Sequence, residues 1–324
     1  MKDRIWALNN GFLSENVLLY GLTNANIHEY VPDFQYAQAH PLNGPCSKLI
    51  DDKFTIYYVL RDFRDYLPEY YFLILRDFIV SLETNKLNDK ATSTPESVME
   101  LCQKKGAVVL KPLAGSCGIG FHKVVFDRDC FSMDGAELKD YEFAGYIAKL
   151  DKYICTEYVR QHNYAKSLFP ESSNTIRFLT MRDYEVHKPF IAIAVQRIGR
   201  TCSSRMDNFS QGGLSCMIDL SSGTLGRGIS YPSESTMLWY DNHPDTGQQI
   251  SGVQIPYWSK VKATILKIAE YLTCVPYMGF DVIITPNSFK IIEINSLSDL
   301  NLLQVHGPLL RDERVRRFYA RHIS

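Results

Sequence analysis

A chain of 324 residues can bury a sizeable core and is long enough for two domains or one elaborated domain. Its composition, 45% hydrophobic and 22% charged, is that of an ordinary globular protein. The formal net charge of −1 removes any electrostatic case for binding nucleic acid or an anionic membrane. None of the eight cysteines falls in a CxxC pair, and a chain of this size needs no covalent staples, so reduced thiols are expected. The eight histidines show no HExxH spacing, which argues against zinc. No apolar run reaches membrane-spanning length, and the N-terminus lacks a signal-peptide core. The expectation is a cytoplasmic protein without a transmembrane segment.

Taken in order, residues 1–47 are mixed, with Asn, Gly and Pro breaks, and read as a short segment packed on the core. Val17–Tyr20 fits a short strand or one helical turn. Ser47 and the pair Asp51–Asp52 suit a helix start before Ile56–Phe63. Tyr70–Leu82 is apolar and aromatic enough for a strand, Leu87–Pro95 reads as a polar loop, and Glu96–Lys104 as a short helix closed by Gly106.

Ala107–Pro112, Leu113–Gly120 and Phe121–Phe126 then read as strand, glycine-rich loop, strand. A flexible loop lets backbone N–H groups approach phosphate oxygens, and Lys111 at the end of the first strand could neutralise them. A tight hairpin explains the glycines about as well, and the Walker A order, Gly-Lys-Ser/Thr opening a helix, is absent. Tyr141–Leu150 has a helical apolar stripe. Tyr153–Val159 reads as a strand that either fills the core or offers its backbone to an adenine edge.

From there the pattern turns antiparallel. Asn174–Met181 and Pro189–Arg197 are strands interrupted by Arg177 and Arg197. A buried arginine needs an anion, either a structural carboxylate or a phosphate. Asp207–Gly213 is a polar glycine loop, Cys216–Ser230 a hairpin turning at Ser221–Gly223, and 233–256 a long irregular connection. Gln161–Ser173 and this connection are the stretches where selectivity is expected. Tyr257–Leu272 is an amphipathic helix. Two local basic features remain: Arg197 with Arg200, and the tail from Arg311 to His322, which reads as a solvated terminal helix.

Phe280–Asn295 is the most informative stretch. Two β-branched runs flank Pro286-Asn287-Ser288, a hairpin pattern. With the turn near Asn287, Asp281 falls across from Glu293, and Asn295 points the same way as Glu293. Carboxylates facing each other on an apolar sheet repel unless a cation offsets them. Oxygen ligands of this hardness suit Mg²⁺, which often binds through carboxylates and substrate phosphates.

The combined order of these features resembles the ATP-grasp superfamily over roughly residues 45 to 305. It is most similar to the sugar-transfer-associated ATP-grasp proteins, and more distantly to ligases that add glutamate to a ribosomal protein. The residues that carry the likeness are Asp52-Lys53, Leu110-Lys111 to Gly120, Asn174 to Arg177, Asp207 to Gly213, and Glu293-Ile294-Asn295. The resemblance implies an α+β ATP-grasp fold of two lobes clamping ATP, an N-terminal one over 48–160 and a C-terminal one, with a mostly antiparallel sheet, over 161–324.

It also implies roles. Lys53 and Lys111 would bind phosphates under a loop including Gly115, Ser116, Cys117, Gly118 and Gly120. Glu157, Tyr158 and Val159 would contact adenine through the backbone. By its position just after that strand, His162 either reaches the ribose or is a surface histidine. Asp281, Glu293 and Asn295 would hold Mg²⁺ or Mn²⁺. Arg177, Arg197 and Asn208 would serve the transferred phosphate. Leu297 and Gln211 stand where relatives carry arginines. The activity implied is an ATP-dependent carboxylate–amine ligase working through an acyl-phosphate, plausible in surface or capsular polysaccharide modification. Its substrates would be a small-molecule or glycan carboxylate and an amine acceptor. The alternatives are a small-molecule kinase on the same fold and a non-catalytic ATP-binding protein.

Overall fold

The computed structural model describes residues 2–82, 92–115, 118–204, 206–232 and 236–323. The chain divides into two compact units: residues 48–159, and a second unit made of residues 1–47 together with 160–324.

The 48–159 unit is built on an eight-stranded sheet. Its strands are β1 (Tyr70–Leu75), β2 (Phe78–Ser81), β3 (Thr92–Ser93), β4 (Ala107–Pro112), β5 (His122–Asp127), β6 (Cys130–Met133), β7 (Ala136–Leu138) and β8 (Tyr153–Glu157). They lie in the order β3-β2-β1-β8-β4-β5-β6-β7, and every pairing is antiparallel. Tyr70–Leu82, read from sequence as one strand, is a hairpin because Arg76-Asp77 turns the chain. The polar stretch 87–95 lies mostly outside the described residues. The helix Pro95–Lys105 begins at Thr94, carries Pro at its first turn and ends on Gly106 in the left-handed conformation. It buries Val98, Leu101 and Cys102 in a core with Val108, Leu110, Phe131, and Phe143 and Ile147 of the helix Asp140–Ile147.

The other unit carries a seven-stranded sheet. Its strands are β9 (Ile176–Asp183), β10 (Lys188–Ile198), β11 (Leu214–Ile218), β12 (Leu225–Ser230), β13 (Trp239–Tyr240), β14 (Tyr277–Ile284) and β15 (Phe289–Asn295). The order is β13-β12-β11-β10-β9-β14-β15, again antiparallel throughout. The amphipathic helix Trp258–Tyr271 buries Val261, Ile265 and Ile268, and its Trp258 ring stacks on Phe178 at 5.4 Å.

The opposite face of that sheet is covered by the chain's two ends. Residues 1–47, with little periodicity in sequence, form helices Lys2–Asn9, Ser14–Tyr20 and Asp33–Ala39. Their Phe12, Leu19 and Tyr36 join Leu179, Met181 and Tyr277 of the sheet in one apolar cluster. Asn43 fixes the segment by exchanging both amide hydrogen bonds with the Tyr277 backbone, at 2.7 and 2.9 Å.

The terminal helix Glu313–His322 corrects the expectation of a solvated tail. Val315, Phe318 and Tyr319 are buried in the same cluster. Arg317 pairs with Asp183 and Glu185, Arg314 with Asp312, Arg316 with Glu313, and Arg311, just before the helix, with Glu29, while Arg321 lies 4.4 Å from the Tyr184 ring centre. Among the described residues, no helix is long and apolar enough to cross a membrane.

Candidate functional site

In the 48–159 unit the expected phosphate-binding residues gather at one end of the β4–β5 hairpin. Lys111 is buried on β4 and pairs with Ile154 of β8. Lys53 opens the helix Lys53–Val59, which Asp52 caps by accepting hydrogen bonds from Phe54 and Thr55 amides at 3.1 and 2.7 Å. The Lys53 amide donates to the Leu113 carbonyl at 3.0 Å, and its Nζ to the Gly115 carbonyl at 3.3 Å. A lysine distant in sequence is thereby docked on the glycine loop.

Gly120 shows why the loop needs glycine. Its φ is +75°, and a Cβ there would sit 2.7 Å from the Tyr153 hydroxyl and 2.9 Å from Pro112. Gly115 and Gly118 also have positive φ, whereas Ser116 and Cys117 lie outside the described residues. Glu157 ends β8, and its carboxylate accepts from the Glu69 amide at 3.0 Å. Tyr158 is half-buried under Lys123, whose Nζ stands 4.1 Å from the ring centre, and Val159 is buried.

In the other unit the register places Asp281 opposite Glu293, as the hairpin pattern predicts, and Asn295 opposite Gly279. On its other side Asp281 pairs with Arg177, which in turn faces Val195. Glu293, Asp281 and Arg177 therefore form one row across β15, β14 and β9. Arg197 lies two residues beyond Val195 on the same face, paired with Ser215 of β11.

The row is tied together by charge. Asp281 Oδ1 accepts from Arg177 Nε at 2.5 Å, and its Oδ2 accepts from Arg177 Nη2 at 3.0 Å and Arg197 Nη1 at 3.2 Å. Arg197 Nη2 donates to Asp207 Oδ1 at 2.8 Å. Asp207 Oδ2 holds the start of β9 through the Thr175 amide at 3.0 Å and hydroxyl at 2.5 Å. Burial opposes the Arg177 charge, but Asp281 outweighs it, and the guanidinium is held above its usual range.

This network answers the question the sequence left open about each arginine's anion. The described partners of Arg177 and Arg197 are Asp281 and Asp207, and the cation offsetting Asp281 is guanidinium. Asp281 and Glu293 face each other on the row, and Asn295 lies two residues along β15 from Glu293. An oxygen-only donor set of two carboxylates and an amide is of the hardness that suits Mg²⁺. Among the described residues no three His, Cys, Asp or Glu side chains group as a metal cluster.

Gly279 makes room for the next segment: a Cβ there would lie 2.2 Å from Ser298 Oγ and 3.5 Å from Arg177 Cδ. That segment brings in His306, which sequence reasoning passed over. Ser215 Oγ donates to the Leu302 carbonyl at 2.8 Å and lies 2.8 Å from His306 Nε2. Burial lowers the His306 pKa to about 3, so the ring is neutral. Asp207 was also missed, although its loop was singled out; no local pattern marks a side chain whose role is to hold an arginine ten positions away.

Two expected residues have local structural partners. Asn208 caps the turn Phe209–Gln211, accepting from the Ser210 amide at 3.2 Å. His162 caps the helix Asn163–Leu168 through the Tyr164 amide at 3.1 Å.

Comparison with known proteins follows the same direction. No curated protein matches the chain. Similar solved structures include the ATP-grasp ligase PsnB complexed with minimal precursor, at 14% identity, 85% of this chain, 63% of that chain and a TM-score of 0.42. D-alanyl-alanine synthetase A from Vibrio cholerae is similar at 12% identity, covering 85% and 64% with a TM-score of 0.46. A biotin carboxylase from Campylobacter jejuni is similar at 14% identity, covering 86% and 47% with a TM-score of 0.44. The chain thus spans less than two thirds of the length of these structures. The family model for sugar-transfer associated ATP-grasp proteins matches residues 39–317, which takes in both units and every candidate residue, and the chain belongs to that family.

Proposed function

We propose that the chain is an ATP-dependent carboxylate–amine ligase. The observation that carries this reading is the Glu293–Asp281–Arg177 row with Arg197 beside it, in a member of an ATP-grasp family. Lys53, Lys111 and the backbone around Gly115, Gly118 and Gly120 bind the ATP phosphates. The backbone of Glu157–Val159 receives the adenine, with His162 near the ribose. Asp281, Glu293 and Asn295 hold Mg²⁺, or Mn²⁺ in its place. The metal supplies charge neutralisation on the transferred phosphoryl group.

In the reaction a substrate carboxylate oxygen attacks the γ-phosphorus, its bond to ADP breaks, and an acyl-phosphate forms. An amine then attacks the acyl carbon, phosphate leaves, and the amine loses a proton, giving an amide. Arg177 and Arg197 offset the negative charge that develops on the phosphoryl oxygens, and Asn208 holds the polar loop beside them. The guanidinium groups are held in place by Asp281 and Asp207, so little reorganisation is needed when the phosphoryl group arrives. The family's association with sugar transfer supports a role in surface or capsular polysaccharide modification, and the need for ATP supports a cytoplasmic location.

The test is to incubate the protein with ATP, Mg²⁺ and pooled amino acids and uronic acids, and to follow nucleotide products. Amine-dependent release of ADP and phosphate is expected. ADP with a phosphorylated acceptor and no free phosphate would make the protein a kinase instead. Tight ATP binding without turnover would make it a non-catalytic binder.

A further inference from the structure

Two cysteines far apart in sequence meet where residues 1–47 pack beside the seven-stranded sheet. Cys46 lies in the turn Gly44–Ser47 and is half-buried; Cys274 lies between the helix Trp258–Tyr271 and β14 and is exposed. Both are free thiols, and they are hydrogen-bonded to each other. Cys102, Cys130 and Cys202 instead turn their thiols to backbone carbonyls, at 3.9, 3.4 and 3.7 Å.

The backbone fixes this approach from both sides. Buried Asn43 donates from Nδ2 to the Tyr277 carbonyl at 2.7 Å, and its Oδ1 accepts from the Tyr277 amide at 2.9 Å. Cys46 follows Asn43 by one short turn, closed where its amide donates to the Asn43 carbonyl at 3.2 Å. Cys274 precedes Tyr277 in a turn closed by the Val275 amide and the Leu272 carbonyl at 2.9 Å. Each thiol is thus carried by a turn tied to the same two-bond clamp. A disulfide requires the two backbones to be close and the side chains to converge, and both conditions are met here without moving an element.

The two sulfurs differ in access. Cys274 is the one an oxidant reaches, and Cys46 stands beside it as the resolving thiol. Partial burial and the hydrogen bond to Cys46 raise the Cys274 pKa, so this thiol stays protonated at neutral pH and answers to sustained oxidant, not to traces.

We propose that Cys46 and Cys274 form an oxidation site whose disulfide latches residues 1–47 onto the sheet, with hydrogen peroxide as the oxidant. The Cys274 sulfur attacks one peroxide oxygen, the O–O bond breaks, and a sulfenic acid and a first water form, the water taking the thiol proton. The Cys46 sulfur then attacks the Cys274 sulfur, the S–O bond breaks, and the departing hydroxide takes the Cys46 proton as a second water. Each sulfur gives up one electron and the peroxide takes both. The bond closes a loop of about 230 residues, a length at which the constraint on the unfolded chain is large. This inference does not depend on the ligase reading.

The experiment treats the folded full chain with hydrogen peroxide, alkylates the remaining thiols and maps peptides without reduction. A linked pair joining Cys46 to Cys274, two hydrogens lighter than the separate peptides, should dominate, and dithiothreitol should release it. Cys46→Ser and Cys274→Ser should each abolish it, while Cys202→Ser, at another exposed cysteine, should leave it unchanged. The oxidised wild type should melt above the reduced protein by about 5 °C or more, a rise that Cys274→Ser lacks. The proposal is overturned if both thiols stay alkylatable while Cys202 is oxidised, if the bond forms only in urea, or if Cys202 links to either sulfur as readily. A disulfide that forms with no rise in melting temperature overturns the latch. The mapping on the wild type decides the matter even where a serine variant folds poorly.

Discussion

The glycine hairpin of the 48–159 unit and the charged row of the other unit solve the problem of handling charge in opposite ways. The hairpin works through backbone. Its determinants are contiguous from Lys111 to Gly120, and the distant Lys53 is docked by main-chain acceptors at Leu113 and Gly115. The row works through side chains: those at 177, 197, 207 and 281 satisfy one another, and Glu293 faces Asp281 across the hairpin. Backbone sites tolerate changes of side chain but not of conformation. The row should tolerate modest backbone change but not the loss of a carboxylate that an arginine pairs with.

The largest expected effect lies in the row. Asp281→Asn leaves Arg177 and Arg197 without their shared carboxylate in a buried setting, and should cost about 3–5 kcal/mol in urea denaturation. The double variant Arg177→Gln/Asp281→Asn should cost less than the sum of its singles, because neither charge is then orphaned. A wild-type midpoint for Asp281→Asn would mean that the row carries no structural load.

In the hairpin the sensitive position is conformational. Gly120→Ala forces a Cβ against Tyr153 and Pro112 at positive φ, and should cost about 1–3 kcal/mol together with ATP affinity. An unchanged melting temperature and ATP affinity would show that the loop is not conformationally constrained there.

A smaller effect tests the edge of the row through pH. Neutral, half-buried His306 has its pKa lowered to about 3, so between that value and its ordinary range near 6.5 the unfolded chain binds a proton that the folded chain does not. Stability from this group is full above about pH 6.5 and is lost as pH falls. The ring keeps some solvent contact, which limits the loss at pH 5 to about 1–2 kcal/mol. His306→Gln should flatten that part of the acid limb in melts at pH 7.5 and 5; an unaltered limb would place the acid sensitivity elsewhere. The smallest effect is at the Lys53 helix start, where Asp52→Ala should cost about 1 kcal/mol and weaken ATP binding slightly. Comparison with Asp52→Ser, which keeps an acceptor, separates capping from charge.

These contrasts also explain what was legible in the sequence. The hairpin at Asp281–Glu293 could be read with its register, because β-branched runs around Pro286-Asn287-Ser288 fix the turn and the side-chain period does the rest. The strand–loop–strand around Lys111 was legible from glycine alone. The anion taken by each arginine was not: Asp281 meets Arg177 and Arg197 only through the order β10-β9-β14, a non-local pairing no window contains, and Asp207 reaches Arg197 from a loop that no local pattern marks. The helices of residues 1–47 were hidden for a related reason. Their apolar faces are short and are completed by Tyr277 and Phe318 from the far end of the chain. The terminal helix looked basic because its arginines dominate the composition, while Val315, Phe318 and Tyr319 do the packing.

The most direct test of the account is the Mg²⁺ dependence of ADP formation in the wild type and in Glu293→Gln. The Asp281 bonds to Arg177 and Arg197 do not involve Glu293, and the melting temperature is measured alongside to separate loss of fold from loss of metal. The account predicts that Mg²⁺-stimulated ADP release is lost in this variant. Full activity with an unchanged Mg²⁺ titration would contradict it.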